Sequence, residues 1–164
     1  MSASHLTING WTIFAHSLFL SQIETLISEV ESLRRKDPVG YVAKNATKRL
    51  DAISKLAFKI IPQDPNRAEY RQGSTLGEKH KHWFRARFFQ QYRLFFRYHI
   101  HRKIIVYAWV HDSETKRAYE SSQDAYHVFR KTLDSGNPPE DWNQLVIEAQ
   151  TEAERLCSVV DLVT

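Results

Sequence analysis

Apolar residues in the first third of the chain recur at helical intervals. Between residues 17 and 36 they follow the three-to-four-residue period of an amphipathic helix. Capping-box spacing in Ser21-Gln22-Ile23-Glu24 predicts a start at Ser17 or Ser21, and the cations of Arg34-Arg35-Lys36 suit its C-terminal end. Asp37 followed by Pro38 predicts the N-terminus of a second helix, so the two helices should form an antiparallel hairpin.

Strand-like alternation dominates the middle of the chain. A short opening strand is predicted at Gly10–His16, and residues 62–80 are predicted to form a long loop because they contain two prolines and two glycines. Three further runs are separated by gaps short enough for hairpins, which predicts an antiparallel meander. These runs are His82–Phe89, Tyr92–His101 and Lys103–Val110.

Helical patterns return after the meander. One helix is predicted from about Ser113 to Gly136 and another around residues 142–149, with residues 158–164 expected to be frayed. Helices, then strands, then helices are typical of an α+β fold. We expect a single domain over residues 1–164 with flexible ends, since a chain of this length can bury one core.

Strand alternation separates two predicted faces of the sheet, because successive side chains point to opposite sides. One face is expected to pack on helices, and its members are Phe84, Ala86, Phe88, Tyr92, Leu94, Phe96, Tyr98, Ile104, Val106, Ala108 and Val110. The other gathers cations, histidines and aromatic rings: Lys79, Lys81, Trp83, Arg85, Arg87, Arg93, Phe95, Arg97, His99, Tyr107, Trp109 and His111. We expect this second face to be the working surface, with the alternative that the C-terminal helix covers Trp83 and Trp109.

Positive charge is concentrated in the same segment. Residues 79–111 contain eight Lys or Arg, five His and no Asp or Glu, whereas the remaining residues carry 15 basic and 19 acidic side chains. A cluster of like charges repels itself, so it indicates an anionic partner. Guanidinium groups bind phosphates and aromatic rings stack on unpaired bases, which favours RNA. The candidate RNA contacts are Lys79, Lys81, Trp83, Arg85, Arg87 and Trp109.

The histidines allow two interpretations. His80 with His82, and His99 with His101, have the His-x-His spacing that can chelate a metal from one strand face. Residues 79–111, which contain both pairs, include no Asp or Glu, so we expect no carboxylate neighbours. A divalent cation would also add charge to a positive region, and we predict neither metal nor other cofactor. We expect the imidazoles to transfer protons instead. RNA contains its own nucleophile, the 2′-hydroxyl, whose proton must be removed when it attacks the phosphate.

Several classes of protein are disfavoured. Cys157 is the one cysteine, so no intrachain disulfide or cysteine metal site can form. The first residues lack the basic and apolar regions of a secretory signal, and no apolar run is long enough to span a bilayer. We therefore expect a cytoplasmic protein that does not enter membranes.

Sequence blocks in a fixed order resemble the YhaV-type toxins, a branch of the RelE superfamily, over residues 9–148. The blocks are Asn9-Gly10-Trp11, Ala15-His16, Lys36-Asp37-Pro38, Tyr92-Arg93-Leu94-Phe95-Phe96-Arg97-Tyr98, Asp124-Ala125-Tyr126, Gly136-Asn137-Pro138-Pro139 and Asp141-Trp142. The resemblance implies a RelE-like fold, with an N-terminal helix hairpin on an antiparallel sheet. It also implies the toxin of a type II toxin–antitoxin system, a ribosome-associated mRNA endonuclease that inhibits translation and growth.

Partners and residue roles follow from the same resemblance. A cognate antitoxin similar to PrlF, of the AbrB or MazE type, is implied, with operator DNA contacted only through it. Arg93 matches the arginine that RelE-type enzymes place at the scissile phosphate, and Tyr119 matches their substrate-contacting tyrosine, supplemented by Arg117. We expect Arg97 to bind the same phosphate as Arg93, and His111 is the candidate for proton transfer. Lys79, Lys81, Arg85 and Arg87 correspond to the variable basic loop and strand before Arg93.

Two other functions would use the same residue types. The basic face could hold RNA or the ribosome without cutting, and so block translation by occupancy. It could also serve only as a docking surface for an acidic protein. In either case an acidic segment of the antitoxin is expected to cover it.

Overall fold

A five-stranded mixed sheet forms the centre of the computed structural model, which describes residues 5–73, 76–90, 92–111 and 125–164. Its order is β1-β2-β5-β4-β3, and all neighbouring strands are antiparallel except β2 and β5, which are parallel. The strands are β1 Leu6–Ile8, β2 Trp11–Ala15, β3 Phe84–Phe88, β4 Tyr92–His99 and β5 Ile104–His111. The α+β class and the meander are confirmed, but the expectation of a wholly antiparallel sheet is wrong, because the opening strand pairs in parallel with β5.

Helix α1, Ser17–Lys36, ends where the sequence predicted but begins at the earlier of the two predicted starts. Its N-cap is His16, whose Nδ1 accepts a hydrogen bond from the Leu18 amide at 3.3 Å. Because Nδ1 accepts, Nε2 carries a proton and donates to Glu148 Oε1 at 2.9 Å. A capping box at Ser21 is therefore wrong, since that residue lies inside the helix.

The second helix begins later than predicted. Asp37 does not cap it; its Oδ1 accepts from the Gly40 amide at 3.0 Å and supports the 3₁₀ turn Gly40–Ala43. Helix α2 is Asn45–Lys55, and it continues as a π-helical turn, Leu56–Ile60. The Tyr107 hydroxyl on β5 donates to the Ala57 carbonyl of this turn, which fixes the end of α2 on the sheet.

Within the described residues, three helices follow the sheet. They are α3 Ala125–Asp134, α4 Trp142–Gln150 and α5 Ala153–Val163. Asp141 caps α4 by accepting from the Gln144 amide at 2.9 Å. Helix α5 extends through the residues predicted to fray, and it buries Leu156 and Val159. Among the helices of the described ranges, none has the length and apolar character needed to cross a bilayer.

Both faces of the sheet are covered by helices. Against one face, α1, α2 and α5 form a core whose fully buried members include Phe19, Ile23, Leu94, Phe96 and Tyr107. Against the other face, α3 and α4 form a second core, with Trp83, Phe95, Trp109, Phe129 and Leu145. The expectation that the second face is an open working surface is therefore wrong, and its basic residues lie at the margins of a packed core.

An irregularity in β5 changes which side chains share a face. Phe95 pairs with Trp109 while Phe96 pairs with Tyr107, so Ala108 is an extra residue between two pairs. Such a bulge reverses the alternation of the bulged strand. Tyr107 consequently joins the α1 core, and Val106 and Ala108 join the α3 core, opposite to the faces predicted for them.

Candidate active site

Two arginines and a histidine form one row across three strands. Arg87 on β3 lies opposite Arg93 on β4, and Arg93 lies opposite His111 on β5. Directly opposed residues of antiparallel strands have Cβ atoms about 5 Å apart on the same face. The sheet thus brings together three of the residues that the sequence singled out, and we name Arg87, Arg93 and His111 the arginine row.

The turn between β3 and β4 holds the Arg93 guanidinium. Nη1 of Arg93 donates to the Gln90 carbonyl at 2.8 Å and to the Tyr92 carbonyl at 2.9 Å. Phe89 and Gln90 reach this geometry with φ values of 49° and 64°, the left-handed region in which few residues other than glycine are comfortable. The strained turn orients a half-buried cation in advance, which is what electrostatic stabilisation of a developing charge requires.

His111 is the buried member of the row. Its side chain is only 2% exposed, and its ring centroid is 5.9 Å from that of Trp109. The imidazole is therefore adjacent to Arg93 in the sheet but covered in this structure. Direct contact between His111 and a substrate would require local opening of the residues above it.

Arg97 is held at the other end of β4. Its guanidinium lies between the rings of Trp83 and Trp142, at 5.5 and 5.2 Å from their centroids, and donates to the Glu140 carbonyl at 2.7 Å. Burial lowers the pKa of Arg97 to about 10, so the group remains charged at neutral pH. The side chain therefore fixes the residues before α4 onto the sheet.

Arg93 and Arg97 do not approach each other. They are four positions apart on one strand, which places their Cα atoms about 13 Å apart. Phe95 lies between them and stacks on Phe129 of α3, with ring centroids 4.3 Å apart. The predicted clamp of both arginines on one phosphate is therefore not formed in this structure.

Trp83 and Trp109 are core residues. They are 0% and 3% exposed, and both rings pack on Phe129, Trp83 edge-on at 5.2 Å and Trp109 stacked at 5.3 Å. The alternative raised from the sequence, that both tryptophans are covered, is confirmed, although Phe129, the ring that covers them, belongs to α3 and not to the C-terminal helix α5. Their prediction as base-stacking RNA contacts is wrong for this conformation, since neither ring reaches the surface.

A group of side chains around Glu140 was missed by the sequence reasoning. His80 is 2% exposed; its Nδ1 lies 2.8 Å from Glu140 Oε2 and its Nε2 lies 3.3 Å from Asp134 Oδ1. His82 Nε2 contacts Glu140 Oε1, and the Trp83 indole donates to Glu140 Oε2 at 3.4 Å. We name His80, His82, Asp134 and Glu140 the Glu140 cluster. Its two carboxylates, on Glu140 and Asp134, lie 60 and 54 positions after His80 in the sequence, so no local pattern could reveal them.

The Glu140 cluster affects the charge of His82. Burial, followed by the nearby positive charge of Arg97, lowers the pKa of His82, although the Glu140 carboxylate opposes this shift. Burial and Arg97 together outweigh the carboxylate, so the imidazole is neutral at neutral pH and can accept a proton. The expectation that these histidines have no carboxylate neighbours is wrong, because sequence distance did not reflect distance in space.

The remaining predicted site residues are dispersed. Lys79 and Lys81 are exposed, and Lys79 Nζ lies 3.3 Å from Asp134 Oδ1. Arg85 is half-buried and donates to the Glu69 carbonyl at 2.6 Å. Arg117 and Tyr119 lie outside the described residues. Within those residues, no group of three or more His, Cys, Asp or Glu side chains is arranged to hold a metal ion.

Comparison with known proteins identifies the family. Residues 13–150 match a family model described as a toxin with endonuclease activity, of toxin–antitoxin system. Relatives in Escherichia coli O6:H1 and O157:H7, each named toxin YhaV, are 41% identical over 145 residues, which is 87% of this chain and 94% of theirs. The relative in strain K-12, with the same identity and coverage, is named ribonuclease toxin YhaV. No solved structure matches the chain. The chain therefore belongs to the YhaV family of toxins, which have endonuclease activity and come from toxin–antitoxin systems.

Proposed function

We propose that this toxin cleaves messenger RNA on the ribosome, without a metal ion, and thereby inhibits translation and growth. The observation that carries the proposal is the arginine row, in which the pairing of β3, β4 and β5 aligns two guanidinium groups with an imidazole. Cations that bind phosphate beside a group that transfers protons are what metal-free cleavage of RNA needs. The name of the K-12 relative, a ribonuclease toxin, supports RNA as the substrate.

In the proposed reaction the RNA supplies its own nucleophile. The 2′-oxygen attacks the adjacent phosphorus, the bond from phosphorus to the 5′-oxygen breaks, and the products are a 2′,3′-cyclic phosphate and a 5′-hydroxyl end. Arg93, oriented by the turn carbonyls, binds the scissile phosphate and neutralises the charge of the phosphorane, with Arg87 beside it. His111 removes the 2′-proton or protonates the leaving oxygen once local opening of the surrounding structure exposes its ring, and solvent water takes part in the other proton transfer. Arg117 and Tyr119 remain predicted contributors.

Electrostatics favour a metal-free route. Nucleases that use divalent ions hold them with carboxylates, which also offset the metal's charge. The arginine row instead presents guanidinium groups, which repel a divalent cation and attract the phosphate directly. The 2′-hydroxyl makes a metal-bound hydroxide unnecessary.

A cognate antitoxin is part of the proposal, since the family belongs to toxin–antitoxin systems. We propose a PrlF-like protein of the AbrB or MazE type that covers Arg87 and Arg93 with an acidic segment, and that alone contacts operator DNA. Charge complementarity of this kind speeds association and gives specificity. A complex in which Arg87 and Arg93 stay open to solvent would contradict this mode of inhibition.

The test compares Arg93→Ala with Arg102→Ala, a matched control in the exposed turn between β4 and β5. Arg93→Ala is expected to abolish growth inhibition and mRNA cleavage, mapped by primer extension, with an unchanged unfolding transition. Arg102→Ala should retain both activities. Full activity of Arg93→Ala would refute the assignment of the site.

Two further measurements separate the alternatives. Cleavage is expected to persist in chelator and to be stimulated by ribosomes; loss in chelator would contradict the metal-free mechanism. Blocked translation with intact mRNA would favour the occupancy mechanism instead. Salt-dependent binding to RNA would argue against a surface used solely for an acidic protein.

A further inference from the structure

An arginine-lined cleft lies at the β3 edge of the sheet. Its volume is about 570 Å³, and it is bounded by Leu56 and Ile60 after α2, by residues 67–71, and by β3. Four of its lining residues are arginines, namely Arg67, Arg71, Arg85 and Arg87. Arg67 and Arg71 lie outside the basic segment that the sequence singled out, and they have no role in the site described above.

Charge in the cleft is strongly one-sided. Glu69 supplies the one carboxylate among its lining residues, and Glu69 Oε1 is 3.3 Å from Arg67 Nη1. Four guanidinium groups against one carboxylate leave a positive excess, and Arg71 and Arg87 are exposed to solvent. Such a concave positive surface concentrates anions.

The walls of the cleft are fixed to the sheet. Arg85 Nη1 donates to the Glu69 carbonyl at 2.6 Å, and the backbone of Arg71 forms a bridge with Phe84 at the start of β3. Tyr70, between them, is only 4% exposed and packs edge-on against Phe96 at 5.5 Å. Two contacts and a buried aromatic anchor therefore hold the backbone of residues 69–71 and the Arg85 guanidinium in place before any ligand arrives, which lowers the entropic cost of binding.

The cleft is continuous with the arginine row. Arg87 lines the cleft and is also the residue directly opposite Arg93. An extended anion that binds Arg93 can therefore reach Arg87 and continue around the sheet edge. The neighbouring aliphatic surface of Leu56, Ile60 and Ala86 offers few groups to read a base, so the cleft is suited to a backbone.

We propose that this cleft binds phosphates of the RNA strand that flank the cleavage site, an inference that rests on the proposed ribonuclease function. Guanidinium forks bind phosphate oxygens in pairs, and a chain of phosphates matches a line of arginines that continues from Arg93. The cleft contributes affinity for a long strand and little preference for its sequence. Arg67 and Arg71 have no part in the chemical step, so their loss raises KM and leaves kcat unchanged.

The test uses Arg67→Gln/Arg71→Gln, with Arg35→Gln/Lys36→Gln as the control that removes equal charge from the exposed end of α1. Binding is measured by fluorescence anisotropy over a range of salt concentrations, with single-stranded oligoribonucleotides 2′-O-methylated throughout to prevent cleavage. Oligomers of about 16 and about 4 nucleotides distinguish an extended site from the row alone. Cleavage of an unmodified long RNA gives KM and kcat.

The cleft variant should bind the long oligomer on the order of tenfold more weakly than wild type, because two charged contacts are lost. Its slope of log K against log salt should fall by about 1.4, since each phosphate contact on a single strand contributes about 0.7. Binding of the short oligomer and kcat should match wild type, and the α1 control should match wild type throughout.

Each of three other results would contradict one specific proposal. Wild-type protein that neither binds nor cuts RNA would contradict the proposed function itself. Wild-type protein that binds RNA, together with a cleft variant of unchanged affinity and salt slope, would overturn the cleft inference alone. A cleft variant that binds RNA normally but loses affinity for poly-glutamate would overturn it in favour of docking by an acidic protein.

Discussion

Arg93 and His111 lie directly opposite each other across β4 and β5, on the sheet face that carries Phe95 and Trp109. Strand pairing sets the distance between the two residues. The packed core on the same face limits the directions in which their side chains can point. A cation and an imidazole placed on paired strands hold their geometry better than groups carried on a loop. The arrangement suits a site that must place positive charge at one phosphate and transfer protons at the sugar oxygens bonded to its phosphorus.

Joint action of Arg93 and His111 on one phosphate predicts non-additive losses. His111→Asn should slow cleavage by about 10²- to 10⁴-fold, the usual contribution of general acid–base catalysis. The double variant Arg93→Ala/His111→Asn should be no slower than the worse single variant, because residues that act as a unit lose their function together. Cleavage rates of the three variants on one RNA give the comparison.

His101→Asn, in the exposed turn before β5, is the matched control and should cut at the wild-type rate. Urea unfolding of each variant separates catalysis from folding, since His111 is buried. Independent, multiplicative losses in the double variant would place the two residues at different steps or sites.

The elements with a clear hydrophobic period were predictable from sequence. Helix α1 follows from the spacing of Phe19, Ile23, Leu26 and Val30, all of which are buried. The meander follows from alternation and the short gaps between the strands. These features depend on residues close together in the chain.

Features that depend on distant residues were not predictable. The extra residue Ala108 is defined only by its pairing partners on β4, so the reversal of Tyr107 and Val106 had no local signal. Glu140 reaches His80 and His82 only after α3 has packed across the sheet. The apolar residues Val128, Phe129 and Leu133 did offer a signal, since a helix with that stripe needs a surface to cover, and Trp83 and Trp109 provide it.

Burial of Trp109 predicts a role in stability and none in RNA binding. Trp109→Ala should lower the free energy of unfolding by about 3–5 kcal/mol, because it leaves a cavity beside Phe95 and Phe129. Phe89→Ala, which truncates a ring that is 45% exposed, should cost much less. Urea unfolding followed by tryptophan fluorescence or circular dichroism measures both.

The conservative change Trp109→Phe keeps the core filled and tests the binding role directly. Its affinity for single-stranded RNA should equal that of wild type. A large loss of RNA affinity in folded Trp109→Phe would mean that the ring becomes exposed when RNA binds, contrary to its position in the core.

The lowered pKa of His82 predicts that acid weakens the fold. In the unfolded chain His82 takes up a proton near pH 6.5, whereas burial and the Arg97 charge keep it neutral to lower pH in the folded state. The unfolded state therefore binds more protons between pH 6.5 and the lowered pKa, and the free energy of unfolding falls as the pH drops through that interval. Above pH 6.5 both states are neutral at this residue, and its effect is constant.

His82→Gln should flatten the pH dependence of stability in this interval, whereas His101→Gln, exposed in the turn before β5, should not. Urea unfolding at half-unit steps from pH 7.5 to 5 measures the slope. Asp134 and Glu148, whose pKa values are lowered chiefly by hydrogen bonds from His80 and His16, add their own losses at lower pH, where carboxylates take up protons. A slope unchanged by His82→Gln would assign the acid sensitivity to other groups and would mean that Arg97 and burial do not hold His82 neutral.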